Sequence, residues 1–581
     1  MYITTIPNRN SPPAILLREA FREGGKVKNR TLANLSQWPP ARVEALRRAL
    51  RGDFDQAALP EPPTLGPIFG LLYVLKQIAD QLGITPALGH TALGKLALFL
   101  GLARLAHRGS RLSAVRWAQD HALNEVLALP AFDEEDLYRA LDDLCTRQKK
   151  IESALYARYL REHPQPPRMF LYDITSSYLE GEQNELGEFG YNRDGKKGKL
   201  QIVLGLLTDA QGEPLAVRVF AGNTADPATV VDQIKILQEQ FQVREFVFVG
   251  DRGMVKSNGI QALQEAHLRY ITALTDPQIR RLLNQKVLQL DLFSEQICEV
   301  EAGEVRYVLR KNEKEAARER HRLEDKLKKL AGKITSRNEQ VKTKPRCQPE
   351  AGRRTVQQWA ERHKLNGLVE LQLEGRTLVL RRHEEKITKA LELAGCYVVT
   401  TDVLKESMSA QEVHDSYVSL QKVERDFRAL KTGLLEVRPV FVRKESRTRG
   451  HVFCCMLALK LGREMERRLR EKFGTTDSDP HALTLPDALA ALSSLCLLQY
   501  RVNEKTTVTK LPQPSANQKQ ILDRSSRRSE TYSVGFRRDS TEFSARLLGT
   551  SESVRKRGPA PRSALELVGM LNWCSPPPFV V

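Results

Sequence analysis

The sequence predicts a multidomain α/β protein, with a mixed-sheet core interrupted by an insertion and an α-helical N-terminal region. Three observations carry that reading. Residues 68–163 repeat apolar side chains at the 3.6-residue period of helices packed on a core. Residues 169–275 read as short apolar runs and helical stretches in the order β-β-β-α-β-α-β. A long charged block at 276–402 then breaks the pattern, and an amphipathic segment resumes it near Ser409.

Taken in order, residues 1–60 form a small β-rich unit with a basic turn, Arg22-Glu-Gly-Gly-Lys26-Val-Lys28-Asn-Arg30, that either touches nucleic acid or is a solvated loop. The prolines of Leu59–Pro67 mark a linker. Residues 61–165 give helices over Phe69–Leu82, Leu93–His107, Leu112–Leu129 and Leu137–Tyr159, the last opened by the acidic cap Asp133-Glu-Glu-Asp136. Arg104, Arg108, Arg111 and Arg116 fall on successive turns. The region is thus either a DNA-binding module or a structural bundle.

Residues 166–275 hold the first part of the core. Met169–Thr175 is an apolar run interrupted by Asp173, the pattern of a buried central strand reaching its end. Leu200–Asp209 and Pro214–Phe220 flank a turn, which makes a hairpin, and the helix Ala228–Phe241 follows. The strand Glu245–Asp251 again ends in Asp, and the helix Asn258–His267 leads to the strand Arg269–Thr275. In the insertion, 276–402, Leu323, Leu327, Leu330 and Ile334 predict a helical hairpin or coiled-coil arm within Glu313–Thr343. Lys342–Arg354 reads as loop, and Leu368–Arg381 and Cys396–Thr401 as strands. Residues 403–500 complete the core with an amphipathic helix and the apolar helix Val452–Leu469; residues 501–581 are a linker and a Ser/Arg/Pro-rich basic tail expected to be disordered.

Composition bounds the partners. The 581-residue chain carries 90 Lys+Arg against 71 Asp+Glu, a formal charge of +19. Such an excess favours a polyanion, most simply DNA or RNA, because each neutralised phosphate releases counterions. Eight cysteines without a C-x-x-C pair fit a reducing compartment and argue against a disulfide framework or a zinc knuckle. The adjacent Cys454 and Cys455 read as core residues. The N-terminus lacks the basic-then-apolar layout of a secretory signal. The most apolar stretch, Ala87–His107, contains Lys95 and Arg104 and falls short of the roughly 20 apolar residues of a membrane span. There is neither a phosphate-binding G-x-x-x-x-G-K-[ST] loop nor a G-x-S-x-G elbow, so ATP-driven and serine-hydrolase chemistry find no support.

Chemistry concentrates on three carboxylates: Asp173 and Asp251 at the ends of two core strands, and Glu424 on the helix expected to pack beside them. Tyr417, Glu424 and Lys431 recur every seven residues, so on one α-helix they share a side. Leu420, Val423, Phe427, Leu430 and Leu434 form the neighbouring apolar stripe. Alone, that segment is equally an ordinary amphipathic helix with a solvated face. Three acids brought together repel one another unless a cation shares them, and oxygen-only ligation suits Mg²⁺ or Mn²⁺. Two such ions about 4 Å apart activate a water or 3′-hydroxyl on one side of a phosphodiester and stabilise the leaving oxygen on the other. Asp402, ending the strand-like Cys396–Thr401 run, is the decoy for the third acid; it lacks the Tyr/Lys escort of Glu424. Asn223 is either a loop-orienting or a turn residue, and His451 either a DNA contact or a helix-start residue.

The residues resemble the DDE transposases of bacterial insertion sequences, in the group with a Tyr-x2-Arg-x3-Glu-x6-Lys signature and an insertion before the catalytic Glu. The matching stretches are Tyr172-Asp173-Ile-Thr175-Ser-Ser-Tyr178, Gly190-Tyr-Asn-Arg-Asp-Gly-Lys196 with Gln201, Gly222-Asn223-Thr-Ala-Asp226, Val249-Gly-Asp251-Arg-Gly-Met254, and Tyr417 through Lys431. The resemblance implies an RNase H-like core and metal-dependent cleavage at the element's terminal inverted repeats, followed by strand transfer into target DNA. It also implies two Mg²⁺ or Mn²⁺ ions on Asp173, Asp251 and Glu424, phosphate contacts from Tyr417 and Lys431, a homodimer on double-stranded DNA, and a cytoplasmic, nucleoid-associated setting in a prokaryote. Arg252, beside the second Asp, is a further phosphate candidate. The signature Arg is Leu420 here, which leaves Arg425 or Arg428 to compensate. A nuclease that cuts without joining, or a catalytically dead DNA-binding protein, are the competing readings.

Overall fold

The computed structural model describes residues 1–8, 11–51, 63–163, 165–252, 257–344, 346–431, 434–439, 441–474, 482–503 and 506–525. Its central sheet has eight strands. In chain order they are β1 (Met169–Tyr178), β2 (Gln201–Asp209), β3 (Pro214–Ala221), β4 (Val247–Gly250), β5 (Arg269–Ala273), β6 (Cys298–Ala302), β7 (Val305–Lys311) and β8 (Cys396–Thr401). Across the sheet the order is β6-β7-β8-β5-β4-β1-β2-β3. Only the β1–β4 and β4–β5 pairs run parallel. The run β3-β2-β1-β4-β5 is the RNase H-like mixed core that the element order implies.

Seven helices bear on the site: α1 (Glu134–Glu162), α2 (Asp226–Lys235), α3 (Ser257–Glu265), α4 (Glu313–Thr343), α5 (Ala410–Val418), α6 (Gln421–Lys431) and α7 (Glu445–Phe473). Strand side chains alternate between faces, and β1 shows the consequence. Phe170, Tyr172 and Ile174 pack with Val230 and Ile234 of α2 and Leu263 of α3. Leu171 faces the other way, into a core shared with Val423, Phe427 and Leu430 of α6 and Val452–Leu461 of α7. Asp173, two residues on from Leu171, therefore belongs to the face that α6 covers.

The N-terminal helices do not form a separate module. Helix Ala92–Ala106 is buried along most of its length and shares one core with α1 and α7. Arg104 and Arg111 are buried and serve structure, which removes them from the DNA-binding row. Arg104 donates to the carbonyls of Arg108 (3.0 Å) and Gly109 (3.0 Å) and, more weakly, of Leu435 (3.4 Å). Arg111 reaches Nδ1 of His451 at 3.2 Å. His451, buried within α7, is thus neither a DNA contact nor a helix start. Burial holds its ring below the usual titration range, and with Arg111 donating to Nδ1 the Nε2–H is left for the Val437 carbonyl. The predicted helix Leu112–Leu129 is split into Arg111–Gln119 and Leu123–Leu127, because Ile68 bridges to His121 at the break.

Three antiparallel strands, Tyr2–Ile6, Ala14–Glu23 and Lys26–Asn34, build the expected N-terminal β unit, with Gly24 (φ 60°) and Gly25 (φ 74°) forming the basic turn. Helix Pro40–Leu50 was not expected; Pro40 reads as a breaker yet is well suited to a first helical turn. Of the predicted linker, Leu59–Pro62 lies outside the described residues. Thr64–Ile68 is a strand paired with Cys496–Asn503, which also pairs with Thr506–Lys510. Those pairings and helix Ala516–Ser525 replace the linker expected from residue 501. The tail from 526 on, with its expected disorder, lies outside the described residues.

The block 276–402 is joined to the sheet more closely than an inserted arm requires. Its β6–β7 hairpin, unseen in the sequence, pairs with β8, and β8 pairs with β5. Glu313–Thr343 is not a helical hairpin but the single 31-residue helix α4; a second helix, Pro349–Arg362, follows it, and the two pack with the hairpin Val369–Glu374/Thr377–Arg382. The loop read over Lys342–Arg354 is shorter than expected because Pro349 starts that second helix.

Helix α7 crosses α1 where a Cβ on Gly450 would lie 2.0 Å from the Leu141 carbonyl oxygen. A backbone atom cannot swing aside, so Gly450→Ala forces the helices apart. It should destabilise the protein by about 1–3 kcal/mol, read as a lowered melting temperature; an unchanged value would show that the crossing has slack.

Candidate active site

Sheet register sets the first two acids side by side. The parallel β1–β4 ladder runs from Met169↔Val247 to Tyr172↔Gly250. Asp173 and Asp251 are the next residues on each chain, on strands about 4.8 Å apart. Asp173 sits mid-strand rather than at a strand end, because β1 continues along β2 to Tyr178. The functional equivalent of the end is the point where β4 stops.

Glu424 arrives on α6, but the single helix expected from Tyr417 to Lys431 is broken. α5 ends at Val418 and α6 begins at Gln421. Between them the amides of Leu420, Lys422 and Val423 bond the carbonyls three residues back, at 3.1, 2.9 and 2.9 Å. The turn is tightened toward 3₁₀ geometry, and the Ser419 hydroxyl bonds the Asp415 carbonyl. Leu420 is buried at this joint, in the same core as Val423 and Phe427. A guanidinium there would lie in apolar surroundings, so the signature phosphate contact is absent from that position.

The three carboxylates act on one another. Burial, joined by the charges of Asp251 and Glu424, pushes the Asp173 carboxyl up to about 7, against the Ile174 amide and the charge of Arg193. That amide donates to Asp173 Oδ1 at 2.7 Å. The Tyr417 hydroxyl donates to Asp251 Oδ1 at 2.9 Å. Burial and Asp251 hold this phenol far above its usual range, opposed by Arg252. Arg252 and Tyr417 thus flank the second acid. The donor set is all oxygen and rich in negative charge, which fits a hard divalent cation. Among the described residues no three His, Cys, Asp or Glu side chains already stand at metal-ligating spacing. Asp251 and Glu424 are exposed, so closing on an ion asks for side-chain rotation rather than backbone movement.

The basic candidates divide. Lys431 donates to Asp194 Oδ1 at 2.7 Å. Arg425 lines a groove of about 1320 Å³ with Tyr159, Asp209 and Arg463, which none of the three acids lines. Arg428 is one turn from Glu424, on its helical face. Asp402 is excluded as the third acid by its own bonding: it is buried and accepts from the Tyr270 amide at 2.8 Å. Asn223 is exposed in the turn after β3. The sequence reading missed the roles of Arg193 and Asp194. Arg193 bonds both oxygens of Asp226 (2.8 and 2.7 Å) and places positive charge near Asp173. Asp194 ties Lys431 to the Tyr178 amide (3.3 Å). Both lie in the Gly190–Lys196 stretch that carries the resemblance, but nothing in that stretch says which groups they bond.

A family model described as "Transposase DDE domain" matches residues 164–461, just over half of the chain. The chain belongs to the DDE transposases. Membership makes it an enzyme of phosphodiester cleavage and transesterification that acts on DNA and depends on divalent metal. A second model, the N-terminal domain of IS1634 family transposases, matches residues 3–61 of this transposase. Among solved structures it is similar to piggyBac transposase in a synaptic complex with hairpin DNA, at 9% identity and TM-score 0.33, covering 74% of this chain and 81% of that one. It is also similar to Mos1 transposase in a paired-end complex, at 12% identity and TM-score 0.14, covering 28% and 58%, and to Mos1 in a complex with Mn, at 16% identity and TM-score 0.13, with the same coverage. No curated protein matches the transposase. Among its described residues no helix is long and apolar enough to cross a membrane.

A carboxyl raised from 3.8 to about 7 weakens the metal-free fold as pH rises. The folded state binds the proton more tightly than the unfolded one, so this contribution is full below about pH 4, falls as pH rises from there, and is lost by about pH 7. In EDTA the melting temperature of the wild type should therefore fall between about pH 4 and 7 relative to Asp173→Asn, and Mn²⁺ at pH 7 should restore it. Parallel pH profiles for the two proteins would refute the assignment.

Proposed function

We propose that Asp173, Asp251 and Glu424 are the catalytic triad of this transposase and hold two Mg²⁺ or Mn²⁺ ions. The observation that supports this most directly is the register that sets Asp173 beside Asp251, with Asp173 pushed toward its protonated form by burial and then by the charges of Asp251 and Glu424. Bound ions supply an activated water or 3′-hydroxyl and neutralise charge at the leaving oxygen. The chain's own groups position the DNA. The Tyr417 hydroxyl, Arg252 and Arg428 contact phosphates of the strand being cut. Lys431 does so by exchanging Asp194 for a phosphate, a fair exchange because both partners are anionic oxygens. Arg425 faces its own groove and is assigned no role in cutting.

The substrate of this reading is double-stranded DNA carrying the element's terminal inverted repeats, then target DNA, with a homodimer bridging two ends in a prokaryotic nucleoid. Residues 1–60 are assigned to the element end, while the helices of 61–165 share one core with α7 and act with the catalytic region rather than as a domain of their own. Within 1–60, Lys28 and Arg30 pair with Glu23 and Glu19 on the exposed hairpin, pairs that DNA phosphates could replace.

A pre-cut end incubated with supercoiled plasmid and Mg²⁺ separates the activities. Joined product supports transposition, nicking alone supports a nuclease, and binding alone an inactive protein. Asp251→Ala should abolish cleavage and joining while leaving DNA affinity within about twofold; residual chemistry would remove Asp251 from the triad. Deleting residues 528–581 should leave strand transfer intact, and loss of joining by that truncation would give the tail a catalytic part.

A further inference from the structure

The loop between β1 and β2 leaves two aromatic rings in water: Phe189 is 66% exposed and Tyr191 is 81% exposed. Their root is rigid. Gly190 lies against Gly222, where a Cβ would meet the Gly222 carbonyl oxygen at 2.1 Å. Gln201 clamps both sides, donating to the Gly222 carbonyl at 2.7 Å and the Tyr191 carbonyl at 3.3 Å. Glu188 and Gln201 also exchange backbone hydrogen bonds of 3.1 and 3.0 Å. The rings are therefore presented on a fixed base rather than on a floppy tip.

Charge and position say what they are presented to. From Phe189 to Lys199 the loop carries Arg193, Lys196, Lys197 and Lys199 against the single carboxylate Asp194, which Lys431 occupies; Arg193 pairs with Asp226 and Lys199 with Glu180, one of the four acids earlier in the loop. The Arg193 guanidinium lies 5.6 Å from the Tyr191 ring, and its charge is felt by Asp173. The Arg193 amide also donates to Ser176 Oγ on β1 at 2.8 Å, three residues from Asp173, so Tyr191 is one side chain removed from that strand, with Phe189 two residues before it. Exposed rings among cations form a platform on which bases stack while the backbone is neutralised.

We propose that Phe189 and Tyr191 stack on unpaired bases of the DNA strand adjoining the scissile phosphate, with Lys196, Lys197 and Lys199 neutralising that strand's phosphates. The inference rests on the triad reading of Asp173, Asp251 and Glu424, since that fixes where the scissile phosphate lies. Unstacking a base at the cut is costly, and a ring waiting at that point offsets it.

The test uses the full chain carrying Asp251→Ala, so that binding is read without cutting. Two probes are compared: a blunt duplex, and the same duplex with a short 3′ single-stranded overhang containing 2-aminopurine. Phe189→Ala/Tyr191→Ala should weaken overhang binding by at least about tenfold while leaving blunt-duplex affinity within about twofold. It should also abolish the change in 2-aminopurine fluorescence on binding, and Tyr191→Trp in place of the alanine pair should preserve it. Unchanged overhang affinity, or equal losses on both probes, would overturn the proposal. A parent Asp251→Ala protein that still cuts DNA would instead refute the triad, a result read in a separate cleavage assay.

Discussion

Everything in the core serves to hold three carboxylates in one another's field. Left to themselves Asp173, Asp251 and Glu424 would separate, and the fold prevents it; the proton affinity of Asp173 is raised first by its burial and then by the other two charges. Two constraints do the preventing. The parallel register of β1 on β4 fixes Asp173 and Asp251 through the backbone, beyond the reach of side-chain relaxation. Burial of Val423, Phe427 and Leu430 fixes α6, and with it Glu424, on the same sheet face. Apolar burial, at about 25 cal/mol per Å², is large enough to outweigh repulsion between acids that are partly solvated.

The exit from α6 is fastened just as deliberately. Arg104 reaches the Leu435 carbonyl and His451 the Val437 carbonyl, while Arg111 closes on His451. Buried cations are costly unless every donor is used, so these arginines anchor the segment following the third acid to the N-terminal helices. This explains why the helical region and the core cannot be pulled apart as modules. The arginine row that resembles a DNA-binding stripe in sequence is, at Arg104 and Arg111, a buried brace.

Where the sequence was legible, it was legible through periodicity. Alternation placed the strands of the core in order, and the 4-3-4 leucine spacing found α4. The proposed triad was picked out because its members end apolar runs or ride an amphipathic segment, and through the resemblance to the DDE transposases. The failures have physical causes too. The β6–β7 hairpin is local, but nothing local announces that it joins the sheet, because β7 does so through β8, far along the chain. The break at Ser419–Leu420 escaped because the heptad spacing of Tyr417, Glu424 and Lys431 is compatible with a continuous helix, and the tightened turn costs no residue. Prolines misled twice, at Pro40 and Pro349, since the residue that ends one helix also begins the next.

The broken helix changes how the site is used. On one straight helix Tyr417, Glu424 and Lys431 would grip a phosphodiester as a rigid comb. Here Tyr417 belongs to α5 and is bonded to Asp251, and Lys431 belongs to α6 and is bonded to Asp194. Both contacts satisfy charges inside the protein that substrate would otherwise satisfy. A phosphate entering the cluster meets Lys431 already desolvated and oriented by Asp194, so the exchange is between two oxygen acceptors and not between protein and bulk water. The same entry presents Asp251 with a competitor for the Tyr417 hydroxyl, because a phenol held protonated is a donor that either oxygen can take. On the proposed triad, releasing Asp251 from Tyr417 would free its oxygen to turn toward Asp173 and Glu424. Substrate engagement and assembly of the acid cluster would then be coupled through a single hydroxyl, which the tight turn at Leu420 sets on a separate element from Glu424.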